Sequence, residues 1–474
     1  MPFAFQLPTT AAAAFSTYIS STTHPSLPQT ATIHRNLLRN TLKRHKRLSP
    51  QSRSSDLSTV LSALNEYLPY LLAIDCGLAG QTIHDEQIDI SLRREVEPEW
   101  RSTISSTLPG RESSRIKGKG LDYEVDFVLS TLAYVHTLLA RSQLLTLYAS
   151  TTPTVEQRTQ VIQTATRYLL DANAIHAYIS SRVLETDASS AVVETLSQTH
   201  RALGSLAMAE STLLAVLKDD PYPFVVAQSR NQNDKDWMIK PPEIPKVRAH
   251  LFARLCLAAA EHAGMAQAGL SASGRVSDDL LDYARDLRRA ARAKACRFFG
   301  IDAELEGETG KAIAWLAGGR KELGFASHRN DEQPSKLAGL KKFKKDWTVK
   351  REDKKVEKGS DWGSDAGRFE ELRVNEHLEA KWTKMNDTIN TQLIPPSDPL
   401  VANMPSGRDI HSTKPFVRPA LDDAILAQMR APPERTYVEE ELQDADSSDD
   451  EAKKNSTLPG SFPGNAAAGN EEYY

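Results

Sequence analysis

The sequence predicts a mainly α-helical domain. The segment 120–148 has apolar residues at helical spacing, namely Val128, Leu132, Val135, Leu138, Leu139, Leu144, Leu145 and Tyr148. Segments of the same kind recur along the chain, and only short extended stretches near the N-terminus interrupt the pattern. The apolar stripe of 120–148 carries no acid, base or thiol that could run chemistry. We therefore expect a layered helical surface that binds a partner.

The composition allows a large buried core and gives no general attraction to polyanions. The chain has 474 residues, 40% of them hydrophobic, and a formal net charge of -4. A charge this close to zero does not favour nucleic acid or membrane as a partner. The longest apolar stretches are broken by charge before the roughly 18 residues that a membrane span needs. We expect a soluble intracellular protein.

The cysteines do not form a metal-binding or redox pattern. Cys76, Cys256 and Cys296 are the only ones, and they are too far apart for a zinc site. We expect buried free thiols in a reducing compartment, and no metal or cofactor.

The N-terminal region combines extended segments with two helices. Apolar residues alternate with other residues over 3–8 in the manner of a short strand, and prolines interrupt the residues that follow. Two helices flank the break at Ser49-Pro50, the second well formed over 57–72, and residues 87–91 are expected to form an edge strand.

Caps and prolines set the limits of the central helices. Thr154 and Gln157 form a capping box that opens a helix running to residue 183. A second helix is expected over 190–218 and ends where Pro221 and Pro223 forbid helix.

The C-terminal half contains further helices, a basic insertion and an acidic tail. Helices are predicted over 246–262, 277–299, 308–318 and 369–389, with the glycine pair Gly318-Gly319 ending the third. Residues 330–365 are expected to be an exposed insertion, since ten Lys and Arg stand against four Asp and Glu between Lys336 and Lys358. The tail 431–474 is expected to be disordered and acidic.

The tail contains a candidate modification site. Ser447 and Ser448 are followed by carboxylates, a pattern that suits an acid-directed kinase. The alternative is a solvating tail that is never modified.

Catalytic motifs are absent from the sequence. The segment GETGKA at 307–312 resembles a phosphate-binding loop, but Leu305 replaces its first glycine and Ala312 lacks the hydroxyl that would bind magnesium. His84, Asp85 and Glu86 could form an acid–base set, or could simply be solvated in a polar loop. We expect no catalytic residue and no enzymatic activity.

The first 55 residues leave a second hypothesis open. They contain no Asp or Glu and are rich in Ser, Thr and Ala, a composition typical of transit peptides. The chain could then be a mitochondrial or other helical assembly factor whose N-terminal segment is cleaved.

The order of several helical segments resembles the BRO domain of the Alix family. The segments are an opening FQLP, YEVDFVLSTLAYVHTLLA, TATRYLLDANAIHAYI, SLAMAESTLL, LFARLCLAAAEHA and KACRFFGIDAELEGETGKAIAWL. The resemblance covers residues 1–420, with the basic insertion interrupting it. MPFAFQLPTT, HRNLLRNTLKRHKRL, LSALNEYLPYLLAID and LPGRE followed by GLDYE resemble, within that family, fungal regulators of the response to alkaline pH.

The resemblance implies a curved, solenoid-like helical domain that is a non-catalytic adaptor. Its partner would be the C-terminal amphipathic helix of an ESCRT-III filament subunit, bound in a concave groove. By motif, the groove contacts map onto Leu213, Leu251 and Leu255, and Arg158 replaces an acid of the animal relatives. The resemblance further implies a cytoplasmic protein that is recruited to cortical plasma-membrane sites or endosomes, helps to assemble the proteolytic complex of alkaline-pH signalling, and associates peripherally with membrane.

Overall fold

A computed structural model of the chain describes residues 2–106, 113–149, 154–182, 192–229, 246–325 and 363–432. Most of these residues are helical, and consecutive long helices pack side by side, so the predicted fold class is confirmed. The helices are α1 (Leu27–Arg47), α2 (Pro50–Leu78), α3 (Leu121–Ala149), α4 (Val155–Arg182), α5 (Ser197–Asp219), α6 (Tyr222–Ser229), α7 (Lys246–Ala272), α8 (Asp278–Leu305), α9 (Thr309–Glu322), α10 (Arg368–Met385), α11 (Ser397–Ala402) and α12 (Asp423–Met429).

The basic insertion and most of the acidic tail lie outside the described residues, so the predictions made for them stay predictions. The described residues up to Ala431 belong to one unit. This unit extends past the predicted limit at residue 420, because Leu421, Leu426 and Met429 are buried in a core that they share with α1, α2 and α3.

Short antiparallel strand pairs combine one strand that precedes α1 with five strands that lie between α2 and α3. The strands are β1 (Ile19–Ser21), β2 (Thr82–Ile83), β3 (Glu86–Gln87), β4 (Ile90–Leu92), β5 (Glu99–Arg101) and β6 (Arg115–Lys117), paired as β1 with β4, β2 with β3, and β5 with β6. The strand predicted over 3–8 does not form, and only Thr10 makes a bridge, to Trp100. The predicted strand 87–91 is divided between β3 and β4 because Ile88 turns into the core.

The first 55 residues are part of the folded unit. Phe5 stacks on Tyr134 of α3 with ring centroids 4.4 Å apart. Leu38 and Leu42 on α1 are buried in the core formed with α2 and α3. Cleavage of this segment would expose that core, so the packing disfavours the hypothesis of a removable targeting segment.

Helix α5 ends at Asp219, close to its predicted end, but a proline and a glycine pair that were expected to exclude helix are tolerated nearby and in α9. Pro223 lies in the first turn of α6, where the missing N–H has no partner to lose. Gly318 and Gly319 lie inside α9 and do not end it. A Cβ on Gly318 would approach Val401 to 2.7 Å, so this glycine permits the close approach of the segment around α11.

Helix α7 runs ten residues beyond its predicted end at His262, to Ala272. The added turns pack through small residues, and a Cβ on Gly269 would lie 2.9 Å from the Cβ of Ala202 on α5. Close packing of α7 on α5 therefore extends a helix that its sequence alone leaves weakly marked.

One described helix, α2, is long and apolar enough to cross a membrane by length and composition, contrary to the prediction that no such stretch exists. Its most apolar window is 56% buried within the fold. Burial of this kind is typical of a core helix, and here α2 packs between α1 and α3.

A buried carboxylate joins the N-terminal helices to α3. Glu124 is 0% exposed and accepts hydrogen bonds from Arg35 Nε (2.8 Å), the Tyr67 hydroxyl (3.0 Å) and Trp100 Nε1 (2.6 Å). Burial alone lowers the pKa of Arg35, but the adjacent Glu124 outweighs it and raises that pKa above the usual value. Glu124 lies one turn before Val128, the first residue of the predicted apolar stripe, so the same face of α3 begins with a buried acid that the stripe does not include.

Glu124→Gln should lower the free energy of unfolding by about 3–5 kcal/mol, because it leaves the buried Arg35 guanidinium without its counter-charge. Urea denaturation measures the change. Lys311→Gln is the matched control, because Lys311 and Glu308 form an exposed pair whose loss costs about 1 kcal/mol or less. Equal losses in the two variants would contradict a central role for Glu124.

Candidate functional site

A segment that follows α11 crosses the helices and defines the candidate site. We call residues 403–422 the C-terminal strap. It contacts α7 first, where the Arg408 N–H donates to the Arg254 carbonyl at 3.1 Å. It then reaches α5, where the His411 ring nitrogen Nε2 lies 3.2 Å from the Ser211 carbonyl, and α4, where Phe416 packs on Tyr178.

The strap ends on α2 and the N-terminal strands. Arg418 donates to Asp75 of α2 at 3.1 Å, and the His84 ring nitrogen Nε2 lies 3.0 Å from the Leu421 carbonyl. Beyond the strap, Arg430 follows α12 and forms a two-pronged pair with Glu86 at 2.7 and 2.6 Å. The strap therefore connects helices that are far apart in sequence, although its own residues have no helical or strand periodicity.

Gly407 is the point of closest approach between the strap and α7. A Cβ on this residue would lie 2.4 Å from the Ala258 nitrogen, a separation that no side chain can adopt. The Gly407 N–H donates to Glu261 at 3.1 Å, and His262 pairs with Asp409 at 2.8 Å. Glycine is therefore required at residue 407 for the strap to lie on the helix.

The three leucines expected to contact a partner all reach one hydrophobic cluster. This cluster joins α7, α8, α9 and α10, and Leu213 and Leu251 are half-buried against it. Leu255 is inside the cluster and only 2% exposed. The structure thus makes Leu255 a packing residue beneath the surface.

Leu213 and Leu251 differ in their immediate surroundings. Leu213 lines a cleft of about 40 Å³ with Pro2, Glu210 and Leu217, and Leu251 is not among its lining residues. Leu251 lies one turn before Arg254, where the strap meets α7. Leu213 and Leu251, unlike Leu255, keep part of their side chains accessible, and each lies within one turn of a residue that contacts the strap.

Glu210 fixes the N-terminal segment beside Leu213. Its carboxylate accepts hydrogen bonds from the Phe3 N–H (3.0 Å) and the Tyr283 hydroxyl (2.7 Å). Burial raises the pKa of Glu210 to about 7, against the opposing effect of the Tyr283 hydrogen bond. The carboxyl is therefore held in a site that favours its neutral form.

A second buried network of charged residues joins α8 to α10 and to the end of α5. Arg297 on α8 is fully buried and pairs with Asp220, which follows α5, at 2.6 Å and with Glu371 on α10 at 2.7 Å. Lys294 adds a bond to Glu371 at 2.7 Å. Burial lowers the pKa of Arg297, but Asp220 and Glu371 more than reverse the effect and raise it. No motif in the sequence marks these four residues as a group.

The remaining candidate residues do not assemble a catalytic or metal site. His84 and Asp85 adopt positive φ angles in the turn between β2 and β3, and Glu86 is engaged by Arg430. Burial raises the pKa of the Cys256 thiol to about 12, which leaves it unreactive. Among the residues that the structure describes, no cluster could hold a metal ion.

Three further predictions have separate outcomes. The glycine of the phosphate-loop-like segment, Gly310, packs against the Leu393 carbonyl and donates its N–H to Gln392 at 3.0 Å, so it serves packing. Arg158 lies in the first turn of α4. Ser447 and Ser448 lie outside the described residues, and their phosphorylation stays a prediction.

The relatives of the chain are regulators of the pH response. No family model matches the chain. It is 47% identical to the pH-response regulator protein palC of Emericella nidulans, over 98% of this chain and 99% of the relative. The chain belongs to the palC family. A palC of Cryptococcus neoformans var. neoformans is 24% identical over 88% of this chain and 92% of that protein. This palC-family chain is thus a pH-response regulator and a non-catalytic protein, in agreement with the sequence analysis.

Solved structures with the same fold come from ALIX. The BRO1 domain of ALIX, in a complex with CHMP4C, has a TM-score of 0.51 at 15% identity and covers 88% of this chain and 95% of its own. ALIX in a complex with the SIVmac239 PYKEVTEDL late domain has a TM-score of 0.54 at 15% identity, over 91% of this chain and 52% of its own. These similarities confirm the predicted BRO-domain fold.

Gly407→Ala should lift the strap from α7, because the added methyl group cannot fit against Ala258. Hydrogen exchange of residues 403–412 should become faster, and limited proteolysis should cut the strap. Ser406→Ala is the control, because Ser406 is exposed and contacts Arg254 through its carbonyl only. Unchanged exchange in Gly407→Ala would contradict the close approach.

Glu210 by itself should lower the stability of the chain as pH rises from about 4.5 to about 7, because the folded state keeps the Glu210 proton that the unfolded state releases. The difference between wild type and a Glu210 variant isolates this contribution from that of the buried His136 and His200, whose lowered pKa values act in the opposite direction. Glu210→Gln should remove up to roughly 3 kcal/mol of this fall, at about 1.4 kcal/mol per pKa unit. Urea denaturation at several pH values measures it. Glu66→Gln, at an exposed position of α2, should leave the dependence of stability on pH unchanged. An unchanged dependence in Glu210→Gln would contradict the raised pKa of Glu210.

Proposed function

We propose that this chain is an adaptor of alkaline-pH signalling that binds the C-terminal amphipathic helix of an ESCRT-III subunit on α7. The observation that carries the proposal is Leu251, a half-buried leucine over the hydrophobic cluster that joins α7, α8, α9 and α10. Family membership supports the pathway, and the ALIX structure that contains CHMP4C supports the class of partner.

The partner helix would lie along the N-terminal half of α7. Apolar side chains of that helix would pack on Leu251, and the half-buried Leu213 on α5 would extend the same contact. Arg248 and Arg254, exposed and half-exposed beside Leu251, would fix its orientation through polar contacts. Leu255 would support Leu251 from below and would not touch the partner.

The strap would set one border of this surface. It meets α7 at Arg254, so the partner would occupy the turns of α7 that precede the strap. Binding a partner helix requires no catalytic group, because an adaptor needs only a surface that is complementary to its partner. We further propose that this binding recruits the chain to cortical or endosomal membrane, where the proteolytic signalling complex assembles.

Leu251→Asp should weaken binding of the isolated ESCRT-III helix about 30-fold, since a central apolar contact contributes about 2 kcal/mol or more. A pull-down and a fluorescence anisotropy titration measure it, and circular dichroism should show a melting temperature within a few degrees of wild type.

Two variants frame this result. Met265→Asp places the same charge on the same helix at a residue 52% exposed and beyond the strap, and should bind normally. Leu255→Asp should unfold the chain, because it buries a charge in the cluster. A folded Leu251→Asp that binds as well as Met265→Asp would refute the proposed surface.

A further inference from the structure

The outer face of α1 combines exposed apolar residues with basic residues. Ile33 is 60% exposed and Leu37 is 47% exposed, one helical turn apart. Asn40, Arg44 and Arg47 continue the same exposed stripe toward the C-terminal end of the helix. The stripe from Ile33 to Arg47 is about 21 Å long at 1.5 Å per residue.

The basic half of this face has little compensating negative charge. Helix α1 contains no Asp or Glu. Within the described part of the chain, Asp56 pairs with Arg44 and His45, and no carboxylate pairs with Lys43 or Arg47. The face therefore keeps an excess of positive charge.

A second element adds to this charge. The pKa of Lys43 is lowered, first by partial desolvation and then by the nearby positive charges of Arg39, Arg115 and Arg47. Arg115 belongs to β6, so the cluster joins two elements of the fold. Cations that repel one another are stabilised by an anionic surface, because its negative charge offsets their mutual repulsion.

We propose that the outer face of α1 is a docking surface for an anionic lipid bilayer. Ile33 and Leu37 would enter the headgroup region, and Arg47 on the same stripe, with Lys43 and Arg115 at its flank, would contact lipid phosphates and carboxylates. The positive charge and the exposed apolar pair together favour a membrane over a folded acidic protein. A flat bilayer can take up the apolar pair and contact the basic residues along one straight helix.

This surface is built on the α1–α2 hairpin, whereas the proposed ESCRT-III contact lies on α7. Helix α1 would therefore orient the chain on a membrane independently of the partner helix. Binding should weaken as salt is added, because exposed charges are screened.

Co-sedimentation of the full chain with phosphatidylcholine vesicles, with and without phosphatidylserine, tests the proposal. Wild type should bind only the vesicles with phosphatidylserine. Lys43→Glu combined with Arg47→Glu should lower the partition coefficient at least about 20-fold, since each basic residue near an anionic surface contributes about fivefold. Ile33→Ser combined with Leu37→Ser should lower it several-fold while the salt dependence remains.

Lys381→Glu combined with Lys384→Glu is the matched control, with the same change of charge on an exposed face of α10. It should bind nearly as wild type, and all variants should keep the wild-type melting temperature and the ESCRT-III pull-down. Absence of wild-type binding, equal binding to uncharged vesicles, or an equal loss in the α1 and α10 variants would overturn the proposal.

Discussion

The C-terminal half of the fold depends on the buried ion pairs that the Arg297 guanidinium forms. It joins Asp220 after α5 to Glu371 on α10, residues that are separated along the chain by α6, α7, α8 and α9. Removal of one member would leave another charge buried and unpaired, which typically costs about 3–5 kcal/mol. The network therefore fixes the helices that surround Leu251.

The C-terminal strap complements this network on the surface of α7. Its backbone lies directly on the helix at Gly407, and its later residues reach α4 and α2. Together the network and the strap hold α7 in place from inside and outside. A rigid helix that is prepared in this way loses little conformational entropy on binding, which is what an adaptor without chemistry requires.

Local signals in the sequence predict local structure well. The capping box is a clear case, since Thr154 and Gln157 exchange hydrogen bonds at 3.1 and 3.2 Å as their spacing predicts. The ends of α7 and α9 could not be predicted, because they depend on close packing at Gly269 and Gly318. The strap could not be predicted either, since irregular backbone has no period, and only Gly407 hints at a close contact.

The resemblance in the order of helices predicts the fold, which is confirmed, and also names three leucines whose contact with a partner stays a prediction. Their burial could not be predicted from spacing, and it places Leu255 inside the core. The buried charges were not predictable, because Glu124 and Arg297 resemble the polar residues of a solvated helix face until their partners are known.

Hydrogen exchange of the chain with and without the isolated ESCRT-III helix tests the central claim most directly. The account predicts new protection in residues 246–254 of α7, with exchange in α1 unchanged. Protection that appears elsewhere and leaves 246–254 unaffected would contradict it.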